Sequence, residues 1–422
     1  MALSEIVIVG AGQAGLQTAA SLRQFGYEGR IRLVGEEKGL PYQRPPLSKA
    51  FLKADSDPES LALRNRDFFE KQKIELLDGE RVASIDRQAG AVELASGGRL
   101  DYDRLVLATG ARNRALPVPG GDHPDLLELR SLDHALAVRD RLGSAGSIAI
   151  VGGGYIGLEI AATARGRGLD VTVVEAMDRL MPRTASPALS AHVEGVHRGH
   201  GVGLRLGEGV ARIATDGEGR IAGVETAAGG LIAAELVLVG IGILPNDALA
   251  AAAGLETDNG IVVDSCLRTA DPSIFALGDC AAFPAPDFGG GALPGRIRLE
   301  SVQNAVDQAK CVARNILAEP APYSEVPWFW SDQFDMKIQI AGLTAGSDRQ
   351  IARLDEEKGR LTVYCFRDGH LAGVETVSNP GDHMACRRLM AERLSPQPAE
   401  VEAAGFSLKT WLQAMRGRAG GG

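Results

Sequence analysis

No two of the five cysteines stand close together. They fall at 266, 280, 311, 365 and 386, an odd number without a C-x-x-C pair. That excludes a redox-active disulfide within the chain, and also the closely spaced thiolate run of an internal iron–sulfur cluster, so the five are read as structural. The seven histidines make no H-E-x-x-H, and His192, His197 and His200 read as a solvated helix face, so no metal site is expected. Positive charge is short: 45 Lys and Arg against 54 Asp and Glu give a net charge of −9, no surplus with which to neutralise nucleic-acid phosphates. Long apolar runs are missing too. The longest, LIAAELVLVGIGIL, is broken by Glu235 and is too short to span a bilayer. The first apolar strand begins within about five residues of Met1, which leaves no room for a leader and points to a cytoplasmic protein.

Glycine is abundant, at 53 residues, and two stretches carry the information: GAGQAGL at 10–16 and GGGYIGLE at 152–159. A lone glycine-rich loop is a weak signal, but each of these has a full context. Ile6-Val7-Ile8-Val9 precedes the first as a β-branched run suited to a strand buried on both faces. LQTAASLRQFG follows as a helix ending at Gly26, and IRLVGEE then supplies a second strand with Glu36 and Glu37 at its end. The second copy repeats the order: SIAIV, GGGYIG, LEIAATARGRG, then VTVVE ending at Glu175. Such units seat a dinucleotide. The first glycine (Gly10, Gly152) allows the turn, the second (Gly12, Gly154) admits the pyrophosphate, and the third (Gly15, Gly157) lets helix and strand pack closely. Glu36 and Glu175 stand where an acid accepts the ribose hydroxyls.

At 422 residues the chain exceeds one core. Residues 101–110, DYDRLVLATG, resemble 233–246, AAELVLVGIGILPN, and each would close its own nucleotide unit. The expected fold is α/β, with two similar Rossmann-like dinucleotide-binding domains and a C-terminal α/β domain. Two dinucleotide sites without a catalytic thiol or metal point to hydride transfer between a nicotinamide and a flavin. TADPSIFALGD at 269–279 ends in Gly278-Asp279, the pair that meets the ribityl chain of FAD in two-dinucleotide flavoproteins. The FAD domain is therefore read as discontinuous, 1–112 and 243–326, around a nicotinamide domain at 113–242, with 327–422 as the third domain.

Nearly end to end the chain resembles the FAD-dependent NADH:ferredoxin reductases of bacterial monooxygenase and dioxygenase systems. The shared stretches are GAGQAG, RPPLSK at 44–49, YDRLVLATG, LRSLD at 129–133, GGGYIGLE, GIGILPN, ALGDC, RLESVQNA at 298–305 and WFWSDQF at 328–334. RPPLSK and WFWSDQ together are the most discriminating. No cysteine stands between Glu36 and Leu61, where peroxidases of related architecture carry their reactive thiol.

The resemblance implies roles. Lys49 would lie beside the reactive flavin nitrogen, its charge stabilising the electron-rich reduced ring. Glu159 would approach Lys49 and the nicotinamide pocket, its plainer reading being a solvated helix residue. Arg130 would meet the FAD phosphates or adenosine, and Asp279 the ribityl chain. The backbone N–H of Val302, at a helix start after Ser301, would point at the pyrimidine edge of the flavin. Trp330 would lie against the flavin on the acceptor side, or be core with Trp328. Ala14, Arg44, Val82, Ala108, Thr109 and Gly110 complete the candidate FAD set, and Tyr155, Ile156 and Gly242 the nicotinamide set. In RPPLSK, Pro45 and Pro46 would also stop a loop and Ser48 begin a helix. Glu175, with no arginine directly after it, would accept the 2′-hydroxyl of NADH and repel the extra phosphate of NADPH.

NADH delivers two electrons at once and a flavin can release them singly, so a two-iron two-sulfur ferredoxin is the acceptor the resemblance implies. Without a cluster of its own, the chain could otherwise serve a quinone or dioxygen. An acidic chain needs a local basic patch to attract an acidic ferredoxin, and the candidates are Arg64, Arg66, Lys310, Lys337, Arg387, Arg388 and Lys409. Two other readings stay open: a membrane-associated NADH:quinone oxidoreductase anchored by the tail FSLKTWLQAMRGR, and a redox-sensing NADH-binding flavoprotein. The closing GRAGGG is expected to be disordered.

Overall fold

The computed structural model describes residues 3–53, 57–288 and 293–419. The apolar run at the N-terminus forms the strand Glu5–Val9 at the middle of a five-stranded parallel sheet, ordered Ile274–Ala276, Arg104–Leu107, Glu5–Val9, Arg30–Gly35, Ile74–Asp78. Ile6, Val7 and Ile8 are wholly buried, as a strand covered on both faces requires. The second unit repeats this with four parallel strands, Gly203–Leu206, Asp170–Glu175, Ser147–Val151 and Leu236–Val239. Each parallel sheet is accompanied by a three-stranded antiparallel one, at Val82–Asp86, Ala91–Leu94 and Arg99–Asp101 in one case and Val210–Thr215, Ile221–Thr226 and Leu231–Ala233 in the other.

The chain passes between the two sheets twice, and the passages lie side by side. Ala111–Asn113 pairs antiparallel with Ile243–Pro245, Asn113 opposite Ile243. Asn246 reinforces the crossing, its Nδ2 donating to Thr109 O at 2.9 Å while its own carbonyl accepts from Thr109 Oγ1 at 2.6 Å.

The C-terminal part is a five-stranded antiparallel sheet ordered Trp328–Gln333, Met336–Gly342, His370–Val377, Arg360–Arg367, Arg349–Asp355, backed by helices Pro380–Ala391 and Leu408–Ala419. The tail helix uses its apolar face internally: Leu408 and Leu412 are buried, and Trp411 packs beside them. That removes the face an interfacial helix would need, and among the described residues no helix is long and apolar enough to cross a membrane. The helix runs to Ala419, into the GRAGGG stretch expected to be disordered; Gly420–Gly422 lie outside the described residues.

Two local expectations change. Ser48 closes a 3-10 turn, Pro45–Ser48, and the following helix begins at Ala50. His197 belongs to no solvated face: it is fully buried, in line with Leu189 and Val193 on the inner face of helix Pro187–Gly199. His192 is half-buried and only His200 is exposed.

Ser186, the N-cap of that helix, ties it to the C-terminal sheet. The buried Glu375 carboxylate accepts from Ser186 N at 3.0 Å and Ser186 Oγ at 2.5 Å. Burial raises the Glu375 carboxyl above its ordinary range, against the lowering pull of Ser186, Thr344 and Arg179. The folded chain thus holds this proton more tightly than the unfolded chain, so stability falls as pH rises from the unfolded carboxyl's range through the folded one. Glu375→Gln should therefore melt at a higher temperature than the parent near pH 8, and the gap should close by about pH 4. Thermal melts at both pH values check it.

Candidate functional site

Both glycine loops open into one cleft of about 1810 Å³. Its walls include Gly10, Gly12, Ala14, Glu36, Arg44, Lys49, Val82, Ala108, Thr109, Gly110, Arg130, Asp279, Val302 and Trp330 from the residues assigned to FAD. They also include Gly152, Gly154, Tyr155, Ile156, Glu159, Glu175 and Gly242. Gly15 and Gly157 lie behind the wall, as helix-packing glycines should. A Cβ at Gly15 would stand 1.9 Å from Gly10 O, and one at Gly157 2.4 Å from Gly152 O. At Gly12 and Gly154 a Cβ would meet nothing within 4 Å among the described residues.

Those two glycines are the N-caps of helices Gln13–Gln24 and Tyr155–Gly166, and neither helix has a side-chain cap. Their first N–H groups thus remain available to an anion in the cleft. The two cradles fit the pyrophosphates of two dinucleotides, FAD and a nicotinamide coenzyme, on this geometry. A third helix, Val302–Leu317, also starts at the cleft; Ser301 Oγ caps Asn304 N at 3.1 Å and leaves the first turn facing inward.

The acids at the strand ends differ. Glu36 is exposed in the cleft, while its neighbour Glu37 is engaged by Arg44 and the Tyr42 hydroxyl. Glu175 accepts from Gly153 N at 2.7 Å and Met177 N at 2.9 Å, so its carboxylate is fixed by its own loop. Arg130 and Asp279, expected to touch different parts of FAD, are paired with each other at 2.9 Å. Arg130 Nε also donates to Ala111 O at 2.9 Å, and Arg298 donates to Asp279 O at 3.0 Å.

The two halves meet at Lys49 and Glu159. One face of helix Tyr155–Gly166, formed by Tyr155, Glu159 and Thr163, packs against the Pro45–Ser48 turn and the strand Trp328–Gln333. Glu159 is 5% exposed and Lys49 19%, with Nζ 2.8 Å from Glu159 Oε2. Ser48 Oγ donates to the same oxygen, and Ser331 Oγ donates to Oε1 at 2.6 Å. Glu159 is therefore a buried, satisfied carboxylate and not a solvated helix residue.

Strand alternation sorts the WFWSDQ residues. Phe329, Ser331 and Gln333 face inward; Phe329 meets the Tyr155 ring edge-on at 4.8 Å. Burial pushes the Tyr155 phenol up, beyond any physiological titration. Trp330 lines the cleft, with Trp328 5.6 Å away and the Arg387 guanidinium 4.5 Å above the Trp328 ring. Ser48, Ser331, Phe329 and Tyr42 were missed as site residues. Three of them sit inside the two most discriminating motifs, which was the available signal.

Of the basic candidates, Arg387 is half-buried on Trp328, and Asp307 and Glu325 act on it from neighbouring elements. Lys310 is held by Asp307 at 3.4 Å, on the helix that bears Val302. Arg388 and Lys409 are exposed, as are Lys337, Arg64 and Arg66; Arg64 lies over the Phe68 ring. All five cysteines are free thiols; Cys280, Cys365 and Cys386 are buried.

The chain matches the family model described as pyridine nucleotide-disulphide oxidoreductase over residues 4–309, and the model described as reductase C-terminal over 328–412. It is 50% identical to rhodocoxin reductase of Rhodococcus erythropolis, covering 96% of this chain and 93% of that one. With putidaredoxin reductase of Pseudomonas putida it shares 40% identity over 97% of each. Among solved structures, the ferredoxin reductase for the CYP199A2 system of Rhodopseudomonas palustris superposes with a TM-score of 0.93 at 45% identity, covering 97% of this chain and all of that one. The reductase in the covalent putidaredoxin reductase–putidaredoxin complex gives 0.92 at 39% identity, covering 98% and 99%. With two dinucleotide cradles on one cleft and that likeness along its length, the chain belongs to the pyridine nucleotide-disulphide oxidoreductase family.

Proposed function

We propose that this protein is a cytoplasmic FAD-dependent NADH:ferredoxin reductase that supplies a two-iron two-sulfur ferredoxin serving a monooxygenase or dioxygenase. The observation that carries the reading is the single cleft in which two uncapped helix N-termini converge on the Lys49–Glu159 pair, with Trp330 on its wall. The likeness to reductases named for rhodocoxin and putidaredoxin supports the acceptor.

The reading assigns 1–112 and 243–326 to the FAD domain, 113–242 to the NADH domain and 327–422 to the domain over the flavin. The chemistry the flavin supplies when bound is acceptance of two electrons from NADH and their release one at a time. The chain's own residues position and polarise. The N–H groups after Gly12 and Gly154 hold the two pyrophosphates, and Glu36 and Glu175 take the ribose hydroxyls. With FAD bound, Lys49 would bring a positive charge to the reactive side of the ring, and Val302 N–H would donate toward its pyrimidine edge. Glu159 keeps Lys49 in place, and Trp330 closes the acceptor side. Glu175 disfavours the 2′-phosphate of NADPH.

Anaerobic reduction by NADH, followed by reoxidation with a two-iron ferredoxin against a quinone control, tests the function. Fast reoxidation by quinone alone would sink the ferredoxin reading. On the docking face, Arg387 is a poor first target because its reversal would also disturb Trp328. Arg388→Glu combined with Lys409→Glu should slow ferredoxin reduction about tenfold at low salt, with the deficit shrinking as salt is added and small-dye reduction intact. Equal losses with ferredoxin and dye would remove these two residues from the docking face.

A further inference from the structure

A line of buried polar side chains runs from the Lys49–Glu159 pair away from the cleft, through all three parts of the molecule. Ser331 Oγ lies 2.6 Å from Glu159 Oε1, Gln333 Nε2 lies 3.1 Å from Ser331 Oγ, and His197 Nε2 lies 2.9 Å from Gln333 Oε1. Ser331, Gln333 and His197 are wholly buried.

The proton positions follow by elimination. With Lys49 against Glu159, the carboxylate oxygen facing Ser331 offers only lone pairs, so the proton in that contact is the serine's. Ser331 has no second proton and must accept from Gln333, which fixes the amide with Nε2 toward the serine and Oε1 toward the histidine. A carbonyl oxygen at 2.9 Å from His197 Nε2 requires that nitrogen to carry the proton. Every donor in the line then points the same way, from His197 toward Glu159. His197 Nδ1, at the far end, is buried and has no hydrogen-bond partner among the described residues; burial holds the ring's proton affinity down against the raising pull of the Gln333 hydrogen bond, with His200 adding to the lowering. A second proton, on Nδ1, would meet no acceptor among the described residues.

We propose that Ser331 and Gln333, with His197 behind them, are positioning residues: an aligned series of donors that fixes the Glu159 carboxylate and, through it, the Lys49 ammonium at the flavin face. This rests on the placement of Lys49 beside the flavin. The consequence is that the C-terminal domain, through Ser331 and Gln333, sets the electrostatics of a site whose charged groups belong to the other two domains. Dipoles aligned toward a buried carboxylate in a water-poor site offset its charge more strongly than solvent contacts would.

The test has two independent readouts. In 15N-histidine-labelled holoprotein, His197 should give the spectrum of the Nε2–H tautomer; an Nδ1–H tautomer would reverse Gln333 and overturn the alignment regardless of where the flavin sits. Ser331→Ala and Gln333→Met should then shift the FAD midpoint potential to more negative values. They should slow FAD reduction by NADH roughly tenfold, with NADH affinity held. Ser331→Thr, which keeps the hydroxyl, should restore both. Unchanged potential and rate in folded, flavin-loaded Ser331→Ala and Gln333→Met overturns the relay. Lys49→Met separates the two possible failures. If it slows reduction while the relay variants are silent, the relay alone is wrong; if it is itself silent, the placement of Lys49 falls and the relay's role with it.

Discussion

Gly15→Ala should purify as a colourless protein, and Gly157→Ala as a yellow one that NADH reduces only slowly. The two substitutions are chemically identical and sit at equivalent points of the repeated units. In both, the added methyl meets a backbone carbonyl, at 1.9 Å from Gly10 O in the first case and 2.4 Å from Gly152 O in the second. No side-chain rotation relieves such a contact. Helix Gln13–Gln24 or Tyr155–Gly166 must move off its strand, and with it the N–H groups that face the cleft. Overpacking of this kind costs about 1–3 kcal/mol or more, and the displaced helix N-terminus adds the loss of its phosphate contact. Flavin absorbance after gel filtration, followed by stopped-flow reduction of whatever flavin remains, reads both effects. If Gly157→Ala were the colourless one, the assignment of FAD to the first loop would be reversed.

Lys49→Met should retain FAD and slow its reduction by NADH about a hundredfold, the scale seen when a preorganised donor is removed from a charge that develops during reaction. Glu159→Gln should be milder, about tenfold, because the amide oxygen still accepts from one neighbour. Stability should follow the opposite logic. Removing one partner of a fully buried ion pair costs about 3–5 kcal/mol, and less here because Lys49 is 19% exposed. Even so, Lys49→Met strands the Glu159 carboxylate between Ser48 and Ser331 and should melt lower than Glu159→Gln. Stopped-flow reduction at saturating NADH and thermal melts of the same two preparations measure the pair. Equal rates in Lys49→Met and the parent would remove Lys49 from the flavin face.

The cradles were legible because each is written in consecutive residues: a buried run, glycines at set spacing, a helix, an acid at the next strand's end. The contacts that organise Glu159 were not. Its partners Ser48 and Ser331 lie 111 and 172 residues away, and no local pattern says that two serines in separate motifs will share one carboxylate. The pairing of Arg130 with Asp279 likewise joins residues 149 apart. His197 is a different case. Leu189, Val193 and His197 recur at steps of four, the spacing of one helix face, so its burial is written in its neighbours, while His192 and His200 fall off that face. Ser48 was displaced as a helix start by Pro45 and Pro46, which set the turn one step earlier.

The antiparallel ladder between Ala111–Asn113 and Ile243–Pro245 brings the two ends of the intervening stretch to one spot. A segment whose entry and exit are neighbours lengthens the chain without pushing apart the host strands on either side of it. On the proposed domain assignment, coenzyme choice then sits on a segment entered and left through one doorway, and Glu159, Ser186 and His197 bolt that segment to the rest of the protein.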